Sequence, residues 1–147
     1  MPIKDYPFTR ITSDHSRPML WVRVTNPATG LAVETLALVD TGADDCVFPA
    51  EIAEVLGHKL TSVPAKQMIT ASGTTIAYPH TSKIEVLEML PNGRAGGRIL
   101  YTLVDTPIDF ARGCQTFLLG ARKFLSKFLL TVNYPHKVFS LRKPQPH

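Results

Sequence analysis

Apolar residues in this 147-residue chain come in short runs that turn residues keep interrupting, a spacing that predicts short strands rather than long helices. MLWVRV (19 to 24) meets the turn NPATG, punctuated by Pro27 and Gly30, and AVETLALVD (32 to 40) returns from it, which predicts a hairpin. KQMIT (66 to 70) and TTIAYPH (74 to 80) flank ASG, residues 71 to 73, as the arms of a second hairpin. KIEVLEM (83 to 89) and RILYTLVD (98 to 105) are two further strands, joined by the loop PNGRAGG. FLLTVNY and KVFSL predict a last hairpin across Pro135 and His136. Two short stretches have helical spacing. In FPAEIAEVLGH, Pro49 suits a first turn, Ile52, Val55 and Leu56 share a side, and Gly57 ends the helix. In ARKFLSKF (121 to 128), Phe124, Leu125 and Phe128 face inward. The expected fold is therefore all-β with one or two short helices, undivided by any linker or repeat.

Composition narrows the class of function. An apolar share of 44% against 19% charged residues supports a packed core rather than a disordered chain. No apolar run has membrane-spanning length, and the opening MPIKDYPFTR lacks the apolar centre of a signal peptide. The expectation is a cytoplasmic protein without a membrane partner. The net charge of +4 comes from scattered residues. Its densest group, Arg122, Lys123 and Lys127, falls on the polar side of the second helical stretch, so no nucleic-acid partner is expected. Cys46 lies in the apolar setting CVF and reads as a small core residue, whereas Cys114, after Arg112 and Gly113, has no catalytic base beside it. Five histidines are scattered without ligand spacing, and the glycines of PNGRAGG lack the lysine and helix of a phosphate loop. No metal and no cofactor are expected.

The chemistry-bearing feature is LALVDTGADDCVFP, residues 36 to 49, where an apolar strand ends in Asp40 and Asp44 and Asp45 follow closely. An aspartate at a strand end followed by Thr41 and Gly42 has a plain structural reading: a local turn in which its oxygen accepts a backbone N–H. It has a chemical reading as well. Gly42 permits a tight path, Thr41 can turn its hydroxyl into the fold, and Ala43 leaves space, so that Asp40 is held rigidly and open on one side. The residues alone leave both readings open.

LVDTGADDCVF resembles the active-site segment of the retropepsin-like aspartic proteases, the family of the retroviral proteases and their cellular and bacterial relatives. Two further elements lie in the family's order. FLLG (117 to 120) is similar to the apolar-apolar-glycine segment that crosses behind the active-site loop, and QMITASGTTIAY looks like the flap hairpin over the substrate. The resemblance spans roughly residues 20 to 141. It implies a retropepsin-like half-barrel over residues 19 to 141, with 1 to 18 an N-terminal extension and 142 to 147 a frayed tail. The chain departs from the retroviral pattern in three places. Its flap tip holds the single glycine Gly73, Ala121 stands between Gly120 and Arg122, and the sequence continues past LLTVNY. In the family the corresponding arginine pairs with the first acidic residue after the alanine, which makes Arg122 and Asp44 an expected pair.

What the resemblance implies for function is an aspartic endopeptidase. One carboxylate activates water, and a carboxylic acid protonates the substrate carbonyl. Two carboxyls that share a proton meet both needs. With one Asp-Thr-Gly in the chain, the implied arrangement is a homodimer that sets Asp40 of two copies face to face. Asp105 precedes Thr106 and Pro107, whose ring replaces the needed glycine, and Asp109 lies in no repeated pattern, so neither is favoured as the second carboxyl. Asp40, Thr41 and Gly42 are the expected catalytic residues. Ala43, Asp44, Asp45, Ala71, Ser72 and Gly73 are expected to bind a peptide or protein substrate. The alternative is a catalytically silent module of the same fold that binds or scaffolds.

Overall fold

A computed structural model describes residues 2 to 70 and 73 to 145, and in it the expected hairpins pair. Three short strands come first in the chain: β1 (Ile3–Pro7), β2 (Thr9–Arg10) and β3 (Ser16–Arg17). β4 (Met19–Thr25) and β5 (Ala32–Val39) then form the predicted hairpin, with Met19 opposite Leu38 and Thr25 opposite Ala32. β6 (Cys46–Pro49) is fully buried and runs into α1 (Ala50–Val55), the one α-helix among the described residues. Pro49 sits at the helix start with φ −57°, where its missing N–H costs nothing. Gly57 ends the helix at φ +79°, a left-handed conformation that L side chains resist.

β7 (Lys66–Thr70) and the start of β8 (Gly73–Met89) make the second hairpin. TTIAYPH and KIEVLEM, expected as separate strands, are one 17-residue strand. Pro79 does not break it, because β8 has a single neighbour there: its pairing with β7 ends at Ala77 and that with β4 begins at Lys83. β9 (Ala95–Ala111) runs antiparallel beside it. Between Ser82 and Ile84 the partner strand inserts an extra residue, and Asp105 takes φ +50° in the resulting bulge.

β10 (Leu118–Leu119) is only two residues long, yet it lies between β5, to which it is parallel, and β6. The sheet order β4-β5-β10-β6-β9-β8-β7 returns on itself through an additional pairing of β4 with β8, so the strands form a ring with β7 at its free edge. The ring interior and the helix hold the core, where Phe48, Phe110, Phe124, Leu20, Ile84 and Leu119 are fully buried. Side chains of this size contribute about 1.5–3 kcal/mol each when removed from water. β11 (Leu129–Asn133) and β12 (Val138–Arg142) give the last expected hairpin. β1 pairs with β12, setting Ile3 opposite Leu141, and both are buried. Residues expected to precede the domain thus supply a strand of a second sheet. No helix among the described residues is long and apolar enough to cross a membrane.

The second helix is a correction. Phe124, Leu125 and Phe128 are buried as expected, but the segment folds as turns with one 3₁₀ turn at Leu125–Lys127. The Leu125 and Ser126 N–H groups reach five residues back, to the Gly120 (3.0 Å) and Ala121 (2.8 Å) carbonyls, and those of Lys127 and Phe128 three back, in place of the four of an α-helix. Ala121 donates to the carbonyl of Ala43 (2.8 Å) and Arg122 to that of Asp44 (2.8 Å). These bonds draw the segment directly behind the loop that follows β5. Contact there is so close that a β-carbon on Gly120 would fall on the backbone carbonyl of Asp45. Replacing Gly120 by alanine should therefore lower stability by about 2–3 kcal/mol, because the obstacle is backbone and cannot rotate away. Gly97, whose added β-carbon meets nothing within 4 Å, is the control. Gly97→Ala should move the urea midpoint by less than about 0.5 kcal/mol equivalent.

Candidate active site

Asp40 follows the last residue of β5, and backbone bonds on several sides fix its loop. Its N–H donates to the Leu119 carbonyl (3.1 Å), one step beyond the parallel pairing of Val39 with Leu119. The Asp40 carboxylate Oδ1 accepts the Gly42 N–H at 2.9 Å, and the Ala43 N–H donates to the Asp40 carbonyl at 3.2 Å. This is the local turn that the residue pattern allowed. A β-carbon at Gly42 would stand 3.3 Å from Asp40 Oδ1, so glycine leaves the carboxylate its room. Asp40 itself is half-buried, and Thr41 and Gly42 are exposed.

Asp40 lines an open cleft of about 760 Å³ between this loop and strand β7. Residues 42 to 45 line the same cleft on the loop side, and residues 66 to 70 line it on the hairpin side. A smaller recess of about 460 Å³ continues from it, sharing Val47, Met68, Thr70 and Leu118 and adding both apolar and polar groups, among them Ala111, Cys114, Arg112 and Gln115. The apolar positions of these walls could not be named from the sequence, since they come from strands distant along the chain, β6, β7, β9 and β10 among them. Gly73 lines the recess with φ +125° and open space where a side chain would be. The Thr70 hydroxyl donates to the Gly73 carbonyl at 2.8 Å and closes the hairpin end. Ala71 and Ser72, expected at the tip, lie outside the described residues.

An ion network stands beside Asp40. Arg122 Nη2 lies 2.8 Å from Asp45 Oδ2, so the arginine pairs with the second of the two acidic residues and not, as expected, with Asp44. The cause is the backbone bond from Arg122 N–H to the Asp44 carbonyl, which places the arginine stem one residue further along. Lys66 Nζ reaches Asp109 Oδ2 at 2.7 Å and Asp45 Oδ2 at 3.6 Å. Asp44 is exposed at the cleft. Asp105 is exposed in its bulge and does not line the cleft.

The two network carboxyls shift in opposite directions. Burial pushes the Asp109 carboxyl above the ordinary carboxylate range; Lys66 opposes this, and the charge of Asp45 adds to it. Burial also acts upward on Asp45, but the hydrogen bond and charge of Arg122, joined by Lys66, outweigh it and hold the group below its usual value. Burial drives the Cys46 thiol up to about 11, so it stays a neutral core group at neutral pH. Cys114 is half-buried and its thiol donates to the Thr116 carbonyl at 3.0 Å.

Sequence reasoning undervalued Asp109 and missed Lys66. The stretch around Asp109 reads as a loop beyond RILYTLVD, whereas it lies within β9. Asp109 is nonetheless 4% exposed. It also missed that His58 and His80 meet, with ring centroids 4.7 Å apart against Phe110. Nε2 of His58 lies 3.0 Å from Ser82 Oγ, and Nε2 of His80 lies 2.9 Å from the Leu60 carbonyl. No group of three or more possible metal-binding side chains occurs among the described residues.

Residues 27–91 match the protein-family model described as Aspartyl protease, a retropepsin-like aspartic-protease domain. The matched stretch holds the Asp40 loop and the β7–β8 hairpin and stops short of Asp109, Gly120 and Arg122. No curated protein matches the chain.

The opposed shifts predict a specific dependence of stability on pH. Between the ordinary carboxylate range and its own raised value, Asp109 keeps a proton that the unfolded chain has lost, so its contribution falls as pH rises across that window. Asp45 acts in reverse. Its contribution is complete above the ordinary range and is lost as pH falls through its lowered value. In Asp109→Asn the first decline should disappear while the acid loss due to Asp45 persists, as measured by urea midpoints across the acidic range.

Proposed function

We propose that the chain is an aspartic endopeptidase that works as a homodimer, with Asp40 of each copy forming the catalytic pair. In this reading the ring of strands is the retropepsin-like half-barrel and the β7–β8 hairpin is its flap. The observation that carries the proposal is the placement of Asp40: it is held by its own turn at the floor of an open cleft that a hairpin edge overhangs.

The second carboxyl is assigned to a second copy because the chain holds a single Asp-Thr-Gly, and Asp44, which also lines the cleft, lies exposed on the same loop as Asp40. Asp109 and Asp45 are bound by Lys66 and Arg122, and Asp105 stands outside the cleft. A two-fold axis at the exposed edge of the loop brings the two Asp40 side chains together. Charges that close do not both ionise readily, so the pair holds one proton between them. The ionised member takes a proton from the attacking water, and the protonated member gives one to the carbonyl oxygen of the scissile bond. The tetrahedral intermediate then collapses, the proton passes to the leaving nitrogen, and the shared proton is restored. Thr41 braces the two loops across the axis, and Gly42 keeps the approach to the carboxylates open. An extended peptide adds as a strand beneath the hairpin, contacting Gly73 and the tip residues Ala71 and Ser72, with Ala43, Asp44 and Asp45 on the loop side.

The test is a peptide-library digest with the wild-type chain and Asp40→Asn. Asparagine keeps an oxygen for the Gly42 N–H, so the variant should retain its urea midpoint within about 1 kcal/mol. It should lose hydrolysis entirely, because an amide cannot exchange the proton. Activity should be highest from acidic to neutral pH and fall in alkali, where the pair loses its shared proton. Cleavage by Asp40→Asn at the wild-type rate would overturn the mechanism. A wild-type chain that binds peptides without cutting them would favour the silent binding module.

A further inference from the structure

Strand β7 is the free edge of the sheet and pairs with β8 alone. Of its five residues only Met68 is even half-buried, so little holds the strand over the cleft besides its ladder. Two side chains, two positions apart and hence on one face, tie it to the body of the domain. Met68 packs into the small apolar group of Val47, Ala77 and Ala111. Lys66 reaches Asp109 at 2.7 Å.

Asp109 is anchored in the ring, opposite Val47 of β6 on one side and Pro79 of β8 on the other. Asp109 is 4% exposed, and Lys66 is the one cation within ion-pair distance of it among the described residues. A carboxylate removed from water to that degree needs a cation nearby. The strand that supplies it is therefore drawn against the cleft wall. Asp45 does not depend on Lys66 in the same way, since Arg122 holds it at 2.8 Å against 3.6 Å for the lysine.

We propose that the Lys66–Asp109 ion pair is a latch that sets the height of the β7–β8 hairpin above Asp40. Lys66 and Asp109 are then positioning residues, which govern substrate capture and leave the proton transfers at Asp40 untouched. The role in capture rests on the peptidase reading of the cleft; the latch itself does not.

The experiment compares Lys66→Met, Lys66→Arg and Asp109→Asn with the wild-type chain, using peptide-cleavage kinetics and amide hydrogen exchange. Methionine keeps an unbranched stem and removes only the charge. In Lys66→Met, KM should rise about tenfold with kcat within about twofold, and amides of residues 66 to 70 and 73 to 77 should exchange at least about fivefold faster, while β4 and β5 exchange as before. Asp109→Asn should shift both readouts the same way, and Lys66→Arg should restore them. Unchanged exchange in the hairpin, or a fall in kcat at constant KM, overturns the latch. A wild-type chain that cleaves nothing overturns the peptidase reading alone. Faster hairpin exchange in Lys66→Met would still support the latch in that case, and unchanged exchange would overturn it.

Discussion

Two backbone hydrogen bonds, from Ala121 N–H to the Ala43 carbonyl and from Arg122 N–H to the Asp44 carbonyl, join the segment after β10 to the loop after β5. The placement of Asp40 depends on this junction. A loop following a strand is free to wander unless its polar backbone groups find fixed partners. Here the partners directly follow β10, which is inserted between β5 and β6, so the loop inherits the rigidity of the sheet. Gly120 makes the approach possible by presenting no side chain to the Asp45 backbone. Phe48, stacked edge to face on Phe110 (6.2 Å) and Phe117 (4.8 Å), anchors the strands on either side.

The same junction determines the electrostatics of the cleft. Because the Arg122 backbone is bonded at Asp44, its guanidinium lies beside Asp45, which it shares with Lys66. Asp45 and Asp109 therefore experience different surroundings through one lysine. Asp45 is partly exposed and faces two cations, so attraction outweighs desolvation. Asp109 is more deeply buried, and although Lys66 and, less strongly, Arg122 oppose the charge of Asp45, desolvation prevails. A half-exposed lysine bridging the two is what lets a carboxylate stay buried in the wall of an open cleft.

Much of the fold was legible because it follows from local alternation and turn residues. Pro27 with Gly30, and Pro135 with His136, mark hairpins that formed in the expected places. Asp40, its turn and Gly120 were legible because a short contiguous pattern carries them. Most of what stayed hidden depends on partners distant in sequence. Phe124, Leu125 and Phe128 have helical spacing and are buried, but the N–H groups of Leu125 and Ser126 bond five residues back and those of Lys127 and Phe128 three back, so the segment closes as turns with one 3₁₀ turn. Pro79 suggests a break in the strand, and only the staggered ends of β7 and β4 show why none occurs. Asp109 falls in a stretch that reads as a loop, and it is buried between β6 and β8 with Lys66 of β7, 43 residues earlier in the chain, on its carboxylate.

The ion network also bears on how a single carboxylate could work with its symmetry mate. A carboxyl that is to share a proton must not be neutralised by a cation, since a neighbouring positive charge would strip the proton the pair needs. Lys66 and Arg122 both line the cleft with Asp40, yet each is committed to another carboxylate: Arg122 to Asp45, and Lys66 to Asp109 and Asp45. The hydrogen bond that Asp40 Oδ1 receives comes instead from the neutral Gly42 N–H. On the peptidase reading, Asp45 and Asp109 therefore do more than support the wall. By holding both cations they leave Asp40 without a cationic side chain in ion-pair distance among the described residues, which the proposed sharing of a proton between two such carboxyls requires.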